Sequence, residues 1–387
     1  MVMKVPFLDL KRTTDRIFHS AHNHIRDALQ SCSFVGGAPV ETFEDKLSAY
    51  FGGNFSVACA NGTDALIIAL QASGMKPGMK IGVPNVTFWA SYEAIVNIGC
   101  IPVLIDIDKQ DLQISLQSLE DAITKVHLDG LIIAHLFGWC SRNISAIRCL
   151  CAERSIACIE DGAQSFGVEL QNSKDSYESI FKSSSIATLS FYPSKVLGGC
   201  MDGGAILTPD KNKAALCKVL RDHGRAEHYT YSHVGWNSRM SGTQAIWLSH
   251  SLSFVDNFIQ ERNEAVRIYE ALLPKSDLYR LVTQPHHVRG NGYLLVLELN
   301  KSLQVEAIVE NLATQGVSTG RVYPSTLDQQ PSSEQALKPV SLVHSRNFCS
   351  RVINLPLFPG ITAQEIEYTV SCFLECLKAL ANKDTRL

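Results

Sequence analysis

Apolar residues recur at helical spacing over residues 13–31. After a turn at Gly36–Gly37 the same spacing resumes from Thr42 to Tyr50 and stops at Gly52–Gly53. From there the pattern changes. Short runs of branched residues without a polar face alternate with longer amphipathic stretches: FSVACA with NGTDALIIALQASG, KIGVPN with TFWASYEAIVNIG, IPVLIDID with residues 115–126. The alternation continues through LDGLIIAHLFGW, residues 143–155, SIACIEDGAQSFG and the strand-like run Ile186 to Phe191. A strand apolar on both faces must be covered on both faces, so the alternation predicts an α/β layer architecture with a mainly parallel sheet.

Beyond Pro209 the period lengthens. KNKAALCKVLRDHG reads as a helix, followed by an aromatic loop and a long helical run that ends near Pro274. GYLLVLELN, GVSTGRVYP and RVINLPL then read as strands, residues 302–315 and 362–381 as helices, and residues 324–340 as loop. The expected division is a large domain over residues 1–250 and a smaller α+β domain over residues 251–387.

Composition narrows the class. With 45% hydrophobic and 19% charged residues and a net charge of −3, the chain reads as ordinary globular protein. It has no electrostatic footprint for nucleic acid or an acidic membrane. The opening MVMKVPFLDLKR lacks a signal-peptide core, and no apolar run reaches the roughly 18 residues of a membrane span, so a cytoplasmic location is expected. The 12 cysteines are scattered through apolar runs with no CxxC and no Cys–His pair at zinc spacing; they read as reduced small hydrophobes, with no metal site.

The candidate chemistry centres on ATLSFYPSKVLGGCMDGGA. Lys195 stands between a strand-like run and four glycines within seven residues, with Ser190 five positions before it. A lysine so placed can form a carbon–nitrogen bond with an aldehyde cofactor, or be an ordinary loop lysine. The strand-to-helix turn Asn61–Gly62–Thr63 is equally an anion cradle or a plain helix cap. Asp161, at the end of the strand IACIE, is either a cap or the partner of a pyridine nitrogen. Phe88 is either core or a ring-stacking face. All four lie at strand ends or in the loops beyond them, where open α/β sheets bind ligands.

Taken together the motifs resemble the DegT family of sugar aminotransferases nearly end to end. The matches run in order: VPFLDL, FVGGAPVETFE, NGTDAL, VPNVTFWA, IPVLIDID, AHLFG, IEDGAQSFG, LSFYPSKVLGGCMDGGAI, RDHG, GWNSRM, VYP and NLPLFP. The resemblance implies fold type I, with a seven-stranded mainly parallel sheet, and pyridoxal 5′-phosphate (PLP) as cofactor. It implies that Lys195 bonds the cofactor, Asp161 holds its ring nitrogen, Gln164 lies near its phenolic oxygen, and Gly62, Thr63 and Ser190 hold its phosphate. Phe88 would stack on the ring. Asn237 would reach the phosphate from a second subunit, so a homodimer with shared sites is implied. Three departures stand out: Asn61 where serine is usual, Met201 where glycine is usual, and Val322-Tyr323-Pro324 where His-Tyr-Pro is common. With that histidine absent, Arg239, Arg321 and Tyr323 become the candidates to meet the substrate's charged part. The implied reaction moves an amino group from glutamate to a keto sugar carried on a nucleotide. SFYPSK with Asp-Gly-Gly resembles members acting on 3-keto sugars, and a 3-keto-6-deoxyhexose is the expected acceptor. The alternatives are a 4-keto nucleotide sugar or a keto-inositol. A PLP sugar dehydratase is opposed by Lys195, where those relatives carry histidine. A PLP-binding regulator is opposed by the lack of a nucleic-acid-binding segment.

Overall fold

The computed structural model describes residues 3–384. Two helices lead in, α1 (Lys11–Gln30) and α2 (Ala38–Tyr50), and Gly37, at φ +69°, makes the sharp entry to α2. Strands β1 (Phe55–Cys59), β2 (Lys80–Pro84), β3 (Ile101–Ile105), β4 (Gly130–Ala134) and β5 (Ala157–Asp161) follow. Between them run α3 (Gly62–Ala72), α4 (Trp89–Asn97), α5 (Leu116–Lys125) and α6 (Ile144–Glu153). A hairpin, β6 (Glu169–Ser173) and β7 (Ser176–Ser179), separates β5 from β8 (Ala187–Ser190) and β9 (Gly204–Thr208). The main sheet has seven strands in the order β1-β9-β8-β5-β4-β2-β3. β8, β5, β4, β2 and β3 are parallel, and β9 pairs antiparallel with both of its neighbours. One apolar cluster covers each face: Ile133, Leu131 and Ala187 lie in one, Ile132, Ile159 and Ile206 in the other. This double burial is why the strands lack an apolar–polar alternation. The α/β sheet architecture read from the pattern is the one observed.

After α7 (Lys211–Leu220) the aromatic loop forms a small exposed hairpin, β10 (Arg225–Glu227) and β11 (Thr230–Tyr231). Helices α8 (Gly242–Ser251) and α9 (Val255–Leu272) then lead to β12 (Tyr279–Val282), β13 (Val288–Arg289) and β14 (Leu295–Leu299). With β15 (Val352–Leu355), β12 and β14 make a three-stranded antiparallel sheet. Its core takes residues from α9, α10 (Val305–Thr314) and α12 (Ala363–Asp384); α11 (Val343–Cys349) immediately precedes β15. Val5 and Arg12 tie the described N-terminal segment to this part: Val5 pairs with Val317, and Arg12 bonds Glu365 at 2.6 Å.

One expected strand does not form. GVSTGRVYP contributes only isolated pairings, Val317 with Val5 and Gly320 with Asn354. Gly320 lies against the Phe7 ring, where a Cβ would come within 2.5 Å, and Tyr323 sits at φ +65°, so the extended path is broken twice. No helix among the described residues is long and apolar enough to cross a membrane. All twelve cysteines are free thiols, most of them buried.

Candidate active site

At the carboxyl end of the parallel strands lies a cavity of about 800 Å³, lined by Gly62, Thr63, Phe88, Asp161, Gln164, Ser190, Lys195, Val322 and Tyr323 among others. Loops from both ends of the chain meet there. The topology explains the convergence: every parallel strand delivers its following loop to the same edge.

Each wall has a local cause. At the first turn of α3 the Asn61 side chain caps the helix by accepting from Asp64 N at 2.8 Å. A Cβ on Gly62 would stand 2.7 Å from Ser190 Cβ, so the helix start lies directly against β8 with no room for a side chain. The two hydroxyls of Thr63 and Ser190 and the start of α3 therefore share one corner, a donor set suited to a phosphate. Phe88, the residue before α4, keeps 62% of its surface exposed while lining the cavity, an open aromatic face.

Asp161 closes β5 and is 7% exposed. Its Oδ1 accepts from Ala163 N at 3.1 Å and its Oδ2 from Ser91 Oγ at 2.8 Å; Ser91 in turn meets Thr87 at 2.9 Å. No Lys, Arg or His among the described residues forms an ion pair with it. A buried carboxylate without a protein cation, open to a cavity, fits a protonated pyridine nitrogen.

Lys195 follows a tight turn in which its N–H donates to Tyr192 O at 2.8 Å. Its Nζ lies 5.3 Å from the centre of the Tyr293 ring. The glycines behind it have a packing reason. A Cβ on Gly199 would strike the Gln244 amide, whose Oε1 accepts from Cys200 N at 3.1 Å and Met201 N at 3.2 Å. With its backbone pinned by Gln244, Met201 turns its side chain outward, 46% exposed and away from the cavity lining.

Gln164 bridges two loops. Its Oε1 accepts from Phe137 N at 2.7 Å and its Nε2 donates to Tyr323 Oη at 2.5 Å. Burial, with Tyr293 and Asp161 nearby, pushes the Tyr323 phenol well above its ordinary range. Val322 lines the cavity beside it, its N–H donating to Asn354 Oδ1 at 2.9 Å.

The other three predicted residues lie outside this cavity's lining. Arg321 pairs with Glu306 and reaches Cys349 O at 3.4 Å. Asn237 and Arg239 are exposed; Arg239 donates to Asn237 Oδ1 at 2.7 Å and pairs with Asp222 at 3.2 Å. Thr87, which the sequence places with Phe88 beyond a strand end, also lines the cavity; sequence reading missed His135 and Tyr293 in the lining and Ser91 behind Asp161. The spacing of Thr87 and Ser91, four apart at a helix start, was a usable signal. Tyr293, in a Gly-Asn-Gly-Tyr turn far along the chain, offered none. His135 is fully buried and bonds Glu160 at 2.8 Å, and Glu160 is bonded again by Arg148. Burial alone would raise the Glu160 carboxyl, but the His135 hydrogen bond and the Arg148 charge outweigh it and hold the group below its usual range.

Comparison with known proteins agrees with this geometry. The profile of the DegT/DnrJ/EryC1/StrS aminotransferase family matches residues 16–374. A UDP-2-acetamido-2-deoxy-3-oxo-D-glucuronate aminotransferase from Pseudomonas aeruginosa is 31% identical, covering 94% of this chain and 98% of its own. A dTDP-3-amino-3,6-dideoxy-alpha-D-galactopyranose transaminase from Aneurinibacillus thermoaerophilus is also 31% identical, covering 95% and 98%. The crystal structure of NtdA from Bacillus subtilis, with its cofactor PMP bound, superposes with a TM-score of 0.89 at 26% identity over 98% of this chain and 86% of that one. The chain belongs to the DegT/DnrJ/EryC1/StrS aminotransferase family, fold type I sugar aminotransferases that use pyridoxal phosphate.

Proposed function

We propose that this chain transfers an amino group from glutamate to a keto sugar carried on a nucleotide, with a 3-keto-6-deoxyhexose as the acceptor. The observation that carries the reading is the meeting of Lys195, Asp161, Gly62, Thr63, Ser190, Phe88 and Gln164 around one cavity. In this reading Lys195 holds the cofactor covalently, Asp161 its ring nitrogen, and Phe88 one ring face. Gly62, Thr63 and Ser190 take the phosphate, and Gln164 the phenolic oxygen. Bound PLP supplies the electron sink that makes an amino-acid α-carbon acidic. The work of the chain's own residues is then local. Lys195 Nζ would serve as the base that moves the proton of the donor's α-carbon. The Asp161 carboxylate, fixed by Ser91 and Ala163, offers a buried negative charge to the ring.

Two features support the acceptor. Both curated relatives above are named for chemistry at sugar position 3, and one name specifies a 3,6-dideoxy sugar. Val322 presents an apolar wall to the cavity, which suits a methyl group at position 6. The nucleotide's diphosphate needs cations, and Lys195, committed to the cofactor, is the only Lys or Arg in this protomer's lining. We therefore place Asn237 and Arg239 at a neighbouring subunit's cavity, in a homodimer with shared sites. The test is direct: purified protein with PLP and glutamate is offered 3-keto and 4-keto nucleotide sugars. Formation of 2-oxoglutarate with the 3-keto-6-deoxy substrates is expected, and amination of the 4-keto sugars alone would overturn the assignment.

A further inference from the structure

Two aromatic residues hold left-handed backbone conformations, Tyr323 in the cavity lining at φ +65° and Phe137, buried in the core beside it, at φ +64°. Such a conformation is costly for a side-chain-bearing residue, and the proline after Tyr323 restricts it further. Both belong to one contact: the Gln164 amide joins the Phe137 backbone to the Tyr323 phenol. The rings themselves meet edge to face at 6.0 Å.

The chemistry of that contact sets its direction. The Phe137 N–H can only donate, so the Gln164 atom facing it must be the oxygen, and Nε2 must face Tyr323. One Nε2 hydrogen is then taken by the phenol oxygen, and the second remains free. Without the phenol, Gln164 would hang on a single bond to Phe137 and its amino end would have no acceptor. Asn291 braces the same loop, its Nδ2 donating to Gln164 O and Phe166 O, both at 2.9 Å. Val322, just before Tyr323, is tied to Asn354 at 2.9 Å, which anchors the strained segment to β15. Three chain segments far apart in sequence are thus locked around one amide.

We propose that Tyr323 is a positioning residue for Gln164, serving the cofactor side of the cavity, and does not anchor the substrate diphosphate. The inference rests on the reading of Gln164 as a cofactor contact. It separates two residues that are neighbours in sequence: Val322 faces the acceptor, and Tyr323 orients the cofactor's amide partner. The strain at Tyr323 then has a use, because an ordinary backbone at this position would aim the phenol elsewhere.

The experiment titrates PLP onto apo-protein, followed by visible absorbance, for wild type, Tyr323→Phe, Gln164→Ala and the double variant. Tyr323→Phe keeps the ring and should fold, which far-UV circular dichroism checks. Loss of one neutral hydrogen bond should weaken PLP binding about 2- to 12-fold and move the absorbance maximum. The double variant should bind PLP no more weakly than Gln164→Ala alone, because the phenol acts through the amide. Binding of UDP and dTDP by calorimetry should stay within about twofold of wild type. Wild-type PLP affinity in Tyr323→Phe, additive losses in the double variant, or a selective loss of nucleotide binding would each overturn the proposal. A wild-type protein that gains no visible band with PLP would instead sink the proposed function.

Discussion

The floor of the cavity and its outer surroundings are built in opposite ways. At the floor, Asp161 is nearly buried and both of its oxygens are claimed, one by Ser91 on α4 and one by the Ala163 N–H of its own turn. Gln164 is bonded at both ends of its amide. Farther out, Arg239 is 37% exposed at its side chain and holds Asp222 only across the surface. A buried group held from two sides has one available position, whereas an exposed ion pair is worth about 0–1 kcal/mol and yields readily to a better partner. With the roles proposed above, the contrast puts fixed positions at the cofactor, whose geometry must be reproduced, and a yielding one at the substrate's charged end, which arrives and leaves.

The largest effect that tests this contrast is at Lys195. Lys195→Ala should lose the visible band of bound cofactor and all measurable turnover. Mixing it with inactive Asn237→Ala should restore part of the activity, since one site of a mixed dimer keeps both residues; no recovery from verified mixed dimers would place Asn237 outside the shared site. Next in size is Asp161→Ala. Removing one partner of a buried ion pair costs about 3–5 kcal/mol, so single-turnover rates with glutamate should fall about 10²- to 10⁴-fold while circular dichroism is unchanged. Near wild-type rates would mean that the floor is not electrostatic in its action.

Arg239→Ala, at the surface, should be milder. A charge-assisted contact is worth about 1.5–3 kcal/mol, which predicts a ten- to hundredfold higher KM for the nucleotide sugar with the glutamate half-reaction unchanged. Damage confined to the glutamate half-reaction would move this arginine to the donor carboxylate.

A last test, read on stability and not on turnover, lies at Asp111. This carboxylate is 2% exposed and receives Gln113 N at 3.0 Å and Arg142 N at 2.7 Å. Burial still pushes it up to about 6, with Asp108 adding to the rise and the two N–H donors and the Arg142 charge opposing it. Because the folded state binds this proton more tightly than the unfolded chain, the group's contribution is full below the unfolded value. It is lost as pH rises through about 6. Asp111→Asn should remove this slope, narrowing the wild-type stability change between about pH 4 and pH 7 by about 2–3 kcal/mol. Parallel stability curves for the two proteins would contradict it.

How legible was all this in the chain? The parallel strands were plain, because burial on both faces writes itself as unbroken branched runs. The hairpin β6–β7 was not, since ELQNS and SYES are short half-polar segments with a weak pattern. GVSTGRVYP misled for the reverse reason: its valines suggested a strand, and they pack singly beside Val5 and the cavity instead. Among site residues, those next to glycine turns at strand ends could be picked out by type and spacing. Tyr293 could not, because only folding carries the Gly-Asn-Gly-Tyr turn to within 5.3 Å of Lys195. Arg321, a candidate by charge, is neutralised by Glu306, fifteen residues earlier and across a helix terminus.

The sequence by itself therefore determined the α/β layering and the strand-end loops, and it singled out the lysine, aspartate and turn residues that line the cavity. These depend on local periodicity and on backbone conformations that glycine alone adopts without cost. Tertiary structure decided the rest: that Ser91 and Thr87 support Asp161, and that the Gln164 amide is held between Phe137 and Tyr323. It also decided that Tyr293 covers Lys195 and that the two exposed residues Asn237 and Arg239 lie off this protomer's cavity. Contacts between groups on separate loops, such as Gln164 with Tyr323, follow from how loops are delivered by a twisted sheet, and no local pattern encodes that delivery.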